Sequence, residues 1–222
     1  MGRTIVEVIG LGLAVAAVPI PMIAVILMLS SKSGARNALA FLGGWLLGIA
    51  GLGGVLLAVD AAAVSQTEAS DLGGYLRLVI GATLLVLGWK KWRSRPKGDE
   101  EPPMPGWMSA IEDFGAAKSF GTGLGLAAAN PKNIGLIFAA TATIATAGLS
   151  GNQEIATLLV FVVVASLSVA IPVVGYLVAG SPTTPVLGRL RGWLVANAST
   201  LMTILFVVLG LLLIADGISV VF

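Results

Sequence analysis

An all-α polytopic membrane protein is expected here, with six transmembrane helices in two inverted three-helix repeats and helices 1 and 4 broken at prolines. Three observations lead to it. Apolar residues make up 57% of the 222 positions and charged residues only 11%, where a soluble domain carries about a quarter charged. Six stretches are long and apolar enough, at roughly 20 residues each, to cross about 30 Å of hydrocarbon as helices. Prolines fall inside the first stretch of each half, Pro19 and Pro21 in one and Pro131 in the other.

The spans run from about Ile5 to Leu29, Arg36 to Val59, Leu72 to Trp89, Ser119 to Ala147, Ile155 to Ala179 and Trp193 to Val220. The first has the place of a signal peptide. It is long, holds Glu7 and two prolines, and lacks a small-residue cleavage site before the next polar loop, so it reads as a helix of the mature protein. The second contains "FLGGWLLGIAGLGG", where small residues four apart, such as Gly44 and Gly48, let helices approach closely, within one chain or across a homodimer. No Lys-Ser or Lys-Thr follows and no strand pattern precedes it, so it is not a nucleotide loop. The third span carries "LLVLG", ending at Gly88, and the sixth "FVVLG", ending at Gly210, a weak internal match between the halves.

Residues 94–118 form the one long hydrophilic connection and divide the chain into repeats 1–93 and 119–222. Its opening "SRPKGDEEPPMPG" is an irregular linker, and Trp107, Ile111 and Phe114 at helical spacing suggest an amphipathic helix on the cytoplasmic membrane surface. Three spans per half means that homologous halves insert in opposite senses, the arrangement in which transporters place discontinuous helices at corresponding positions.

Charge sets the orientation. Ten Lys and Arg residues lie in the connections after spans one, three and five, and only Arg3 and Arg77 lie on the opposite side with Asp60, Glu68, Asp71, Glu154 and Asp216. Basic residues in short loops stay cytoplasmic, so both termini are expected outside, in a multi-pass protein of the plasma (inner) membrane.

Composition excludes several chemistries. Cysteine and histidine are both absent, which removes thiol redox work, thiolate or imidazole metal ligation, and Ser-His or Cys-His nucleophiles. No catalytic residue, metal site or cofactor is expected, and the net charge of +2 gives no reason to expect nucleic acid.

The fourth span holds the site. In "GLAAANPKNIGLIF" a helix breaker, two amides and a cation interrupt an apolar run near the bilayer midplane. Pro131 leaves carbonyls in the Leu126 to Ala128 region without their usual donors. Asn130 is a favoured N-cap and Pro131 a favoured first-turn residue, so the helix restarts there, with free N–H groups at its positive end. Lys132 adds a full charge with no carboxylate expected at its depth, at a cost of at least about 2.5 kcal/mol by insertion scales. On one reading it faces a polar cavity and the negative group of a ligand that Asn130 and Asn133 orient. On the other it snorkels, bonds backbone carbonyls, or meets Asp60 or Glu7 through a water-filled vestibule. Thr141, Thr143 and Thr146 are expected to bond their own helix backbone, and Asn37 and Asn197 to act as interfacial or interhelical hydrogen bonders.

With these motifs in place, the chain resembles the lysine-exporter (LysE) superfamily, and within it the GAP group of peptidoglycolipid- and sulfolipid-addressing proteins. The segment from Val18, "VPIPMIAVILMLSSKSGARNALAFLGGWLLGIAG", resembles the first family motif and its hairpin, and "LAAANPKNIGLIF" the second. The resemblance implies six helices in two inverted triplets and a part in moving envelope glycolipids across the inner membrane. Pro19-Ile20-Pro21 stands where amino-acid exporters of the superfamily usually have Pro-Gly-Pro, a departure from the amino-acid pattern.

The function expected is thus a transporter or transport subunit for an anionic or polar-headed envelope glycolipid or related solute. Its partners would be membrane lipids, that substrate, a second copy of the chain, and an envelope-lipid pump or synthase. Two alternatives stand beside it: a small-metabolite or amino-acid exporter, and a noncatalytic scaffold recruiting a lipid synthase or pump.

Overall fold

The structure, a computed structural model, describes residues 1–31, 33–64, 71–93, 111, 113–180 and 184–221. Among these every regular element is a helix: α1 (Gly2–Ala16), α2 (Pro19–Leu29), α3 (Gly34–Val64), α4 (Asp71–Arg93), α5 (Ala116–Ala128), α6 (Pro131–Ala145), α7 (Gly151–Ala179) and α8 (Thr184–Val221). The expected first span is α1 with α2, and the fourth is α5 with α6. Three helices are long and apolar enough to cross a membrane, over Gly34–Asp60, Gly151–Ala179 and Pro185–Ala215, and the α1–α2 pair, bent by 57°, makes a fourth when counted as one span. These are the helices of a multi-pass membrane protein. On α7, Ile155, Leu159, Val163, Val174 and Val178 are exposed, an apolar stripe suited to lipid rather than water.

Two compact units divide the chain. The first comprises Met1–Ala62 with Pro103–Leu194, the second Ala63–Pro102 with Val195–Phe222. In the first, α2 is apolar around its whole circumference and Ile23 through Leu29 are all buried, as a helix without a polar face must be. The first half of each broken span packs on a long helix from the other half of the sequence. A Cβ on Gly12 of α1 would lie 3.0 Å from Val164 of α7. On α5 and α3 the approach is closer still: a Cβ on Gly123 would meet the Phe41 carbonyl, and one on Gly44 the Phe120 carbonyl. Gly48 faces Ala127 at the same crossing, so the Gly44–Gly48 pair serves packing within the chain. Beside it Phe41 and Trp45 stack at 6.5 Å and are fully buried.

Gly123→Ala pushes a methyl group into backbone, which cannot rotate away, and is expected to cost about 1–3 kcal/mol. Gly121→Ala, two residues earlier on the same helix with nothing within 4 Å, is expected to be neutral or slightly stabilising. Thermal unfolding of the two variants in one detergent checks the contrast.

In the second unit α4 and the later part of α8 cross at a reciprocal glycine pair. A Cβ on Gly81 would lie 2.8 Å from the Gly210 carbonyl, and one on Gly210 2.9 Å from the Gly81 carbonyl. Gly88 meets Phe206 and Val207, so the residues of the "LLVLG" and "FVVLG" matches lie at this contact.

The surface helix expected through Trp107 lies largely outside the described residues, although Ile111 is buried and Phe114 partly so. Pro172, which the sequence reading passed over, sits buried inside an unbroken α7. A proline removes one backbone donor. At Pro19 and Pro131, which begin helices, side chains of α6 bond carbonyls ahead of each break.

Candidate functional site

Both interruptions have the same backbone. In the first, Ala17 remains helical at φ −69°, ψ −4° and Val18 swings to φ −72°, ψ 119° before Pro19 restarts the chain. In the second, Ala129 lies at φ −99°, ψ −1° and Asn130 at φ −80°, ψ 117° before Pro131. A residue ahead of proline is pushed into the extended region by the ring, so both breaks fall where the sequence dictates.

Their polar repair differs. Asn130 Oδ1 accepts from the Lys132 backbone N–H at 3.1 Å, the N-cap expected for it; Val18 has no such group. Asn133 Nδ2 donates to the carbonyls of Leu126 at 3.0 Å and Ala127 at 3.3 Å, two of the groups the proline was expected to strand. Asn133 is fully buried and its Oδ1 has no partner.

Lys132 reaches out of its own helix. Its ammonium donates to the Ala14 carbonyl at 2.9 Å, across 118 residues of sequence. In a continuous helix that carbonyl would accept from the N–H of Val18; here the Val18 N–H turns to Val15 at 3.3 Å instead. Lys132 therefore supplies the donor that the first break lacks, while Asn133 serves the second. A single residue joins the α1–α2 break to the α5–α6 break.

Of the two readings left open by the sequence, the bond to a backbone carbonyl is present, and neither Glu7 nor Asp60 reaches Lys132. Glu7 pairs with Arg3 at 2.9 Å on the exposed face of α1. Asp60 is buried, with Oδ2 unpartnered. Among the described residues two of the three ammonium protons have no acceptor, and the side chain is half-buried. Pro19, Pro21 and Pro131 all occupy first turns of restarting helices. Thr141, Thr143 and Thr146 each donate to their own helix, to Phe138, Ala139 and Ala142. Asn37 bonds between segments, its Nδ2 donating to the Phe114 carbonyl at 2.6 Å.

Sequence reasoning missed the Ala14 carbonyl, since every residue offers the same group and nothing marks this one. It also missed a polar cavity where α2 ends and α3 and α5 begin, although the hydrophilic run "SSKSGARN" signals it. No group of three or more carboxylates that could hold a metal occurs among the described residues.

Polytopic helices with a cation at the meeting of two interrupted helices define a class of membrane protein, and comparison with known families narrows it. The family model described as "Sap, sulfolipid-1-addressing protein" matches residues 8–219, and the chain belongs to that family. No curated protein and no solved structure matches it.

Proposed function

We propose that this chain is an inner-membrane transporter, or a transport subunit, that moves an anionic or polar-headed cell-envelope glycolipid by alternating access around the Lys132 site. Family membership supports a part in addressing or making sulfolipid or related envelope lipid. The observation that carries transport is the Lys132 ammonium, which spends one proton on Ala14 and retains two at the junction of two interrupted helices. An intramembrane cation without a counter-ion is costly, and a negatively charged headgroup would offset that cost. Asn130 Nδ2 would orient the group, while Asn133, fully buried and with its donor spent on Leu126 and Ala127, would hold the break open beside it.

Two inverted triplets of helices supply the moving parts in this reading. Its supports are the matching backbone of the two breaks and the way α1 packs on α7 while α5 packs on α3. The basic connections lie inside the cell and both termini outside, following the Lys and Arg bias. That architecture is also the one the lysine-exporter superfamily would share. No catalytic step, cofactor or metal is invoked.

Reconstitution tests the proposal. Purified protein in liposomes is expected to move a labelled, sulfated glycolipid between leaflets above the protein-free rate. Movement of amino acids in place of lipid would overturn the substrate class. Movement of neither, together with loss of cellular function on deleting the 94–118 segment, would replace the transporter with a scaffold.

A further inference from the structure

Pro172 sits buried inside α7 and does not end it. Its ring offers no N–H to the carbonyl of Ser168, four residues earlier, so that carbonyl lacks its usual donor. The Ser168 hydroxyl is also buried and has no partner among the described residues. Other helical hydroxyls spend their proton on the carbonyl four residues back: Thr143 on Ala139, Thr157 on Gln153, Thr203 on Ser199 and, on α7 itself, Ser166 on Val162. Ser168 thus carries an unspent donor beside a carbonyl that its own helix cannot serve. Buried polar groups in folded proteins are paired in the great majority of cases, and two unmade bonds at one residue point to a second arrangement in which they are relieved.

Packing differs on the two sides of the proline. Ahead of it Phe161, Val162, Ala165 and Val169 are buried, and α1 comes so close that a Cβ on Gly12 would lie 3.0 Å from Val164 and 3.3 Å from the Ala165 nitrogen. Beyond it Val174, Leu177 and Val178 are exposed, and a Cβ on Gly175 would meet nothing within 4 Å. The first part of α7 is anchored and its last turns are not.

A hinge accounts for all of these. Turning the Ser168 hydroxyl onto the Val164 carbonyl satisfies it and bends the helix, and a bend at proline carries the ring away from the carbonyl it crowds. We propose that α7 holds a two-state hinge at Ser168–Pro172, unbroken here, whose bent form swings the exposed end while Ser168 bonds to Val164. The bend lies one turn from the contact with Gly12, and Ala14, two residues on, is the residue held by Lys132. The hinge therefore bears on the first break and through it on the Lys132 site; that role rests on the transport reading, the hinge itself does not. A bend of roughly 30° would move Val178, about 9 Å beyond Pro172, by about 5 Å.

Distances inside the protein test it. The chain has no cysteine, so spin labels attach only at introduced positions. Labels on Leu39→Cys and Val178→Cys, both exposed and within the first unit, report on the end of α7 in the full-length protein. The protein is held in phosphatidylcholine nanodiscs, with and without a diacyl lipid headed by glucose 6-sulfate. Dipolar spectroscopy is expected to give two distances differing by up to about 5 Å, whereas labels on Leu39→Cys and Leu159→Cys, ahead of the hinge, should give one. Pro172→Ala returns an N–H to the Ser168 carbonyl and should leave a single distance for Val178. Ser168→Ala should reduce the bent share about fivefold to tenfold, the scale of one hydrogen bond. Each substitution removes an unmade bond, so the midpoint of thermal unfolding should hold or rise and a lost population does not reflect a damaged fold. One distance for Val178 in both conditions, two for Leu159, or either substitution leaving the proportions unchanged overturns the hinge. A single distance in a protein that still moves lipid refutes this inference alone, and two distances that respond as expected in a protein that moves none refute the transport reading alone.

Discussion

Lys132→Met is expected to reduce glycolipid movement in liposomes by about a hundredfold or more while leaving stability and membrane level close to the parent protein. Two opposing terms produce the second half of that expectation. Losing the charge-assisted bond to the Ala14 carbonyl costs about 1.5–3 kcal/mol. Removing a cation from the bilayer interior, where the proposed site would hold it, returns at least about 2.5 kcal/mol. With stability nearly balanced, any fall in rate reports the missing ammonium rather than a damaged fold. Lys132→Arg keeps the charge but changes reach and donor geometry, and an intermediate rate is expected. Transport by the Met variant at the parent rate would remove Lys132 from the mechanism and leave it as a patch on the first break.

The largest effect on stability is expected at Asn133. Asn133→Leu keeps the volume and strips the donor from the carbonyls of Leu126 and Ala127. Each buried carbonyl left unmade costs about 1–3 kcal/mol, so the midpoint of thermal unfolding should fall by about 10 °C, given about 2–4 °C per kcal/mol for a chain of this size. Asn133→Asp should do no better, because a carboxylate brings only acceptors to two carbonyls. Adding Pro131→Ala to Asn133→Leu gives residue 131 an N–H again and lets the helix close on Ala127. The double variant should recover much of the lost stability and none of the transport. A single variant as stable as the parent would mean that water, not Asn133, can satisfy those carbonyls.

How legible the molecule was depends on how local each cause is. The restart at Asn130–Pro131, the stranded carbonyls behind it and the back-bonded threonines all follow from neighbours within a turn or two, and the structure has them where the sequence put them. The apolar character of the first, second, fifth and sixth expected spans was legible for the same reason, and it is these that are long and apolar enough to cross a membrane among the described residues. The partner of Lys132 was not, because proximity of α6 to the end of α1 is set by tertiary packing. Glycines showed the same limit: Gly44 and Gly123 are buried against backbone while Gly51 and Gly54 meet nothing within 4 Å, and no local pattern separates them. Pro172 shows that a breaker residue alone does not decide a break, since the surroundings must also favour the alternative.

The bond between Lys132 and Ala14 carries a consequence for biogenesis. A ribosome delivers Ala14 118 residues before Lys132, so the first hairpin enters the bilayer without the group that completes it, and α7, on which α1 rests, follows later still. The N-terminal helices must wait in an immature form, and premature release of the nascent chain would leave them with an unfinished elbow exposed to lipid.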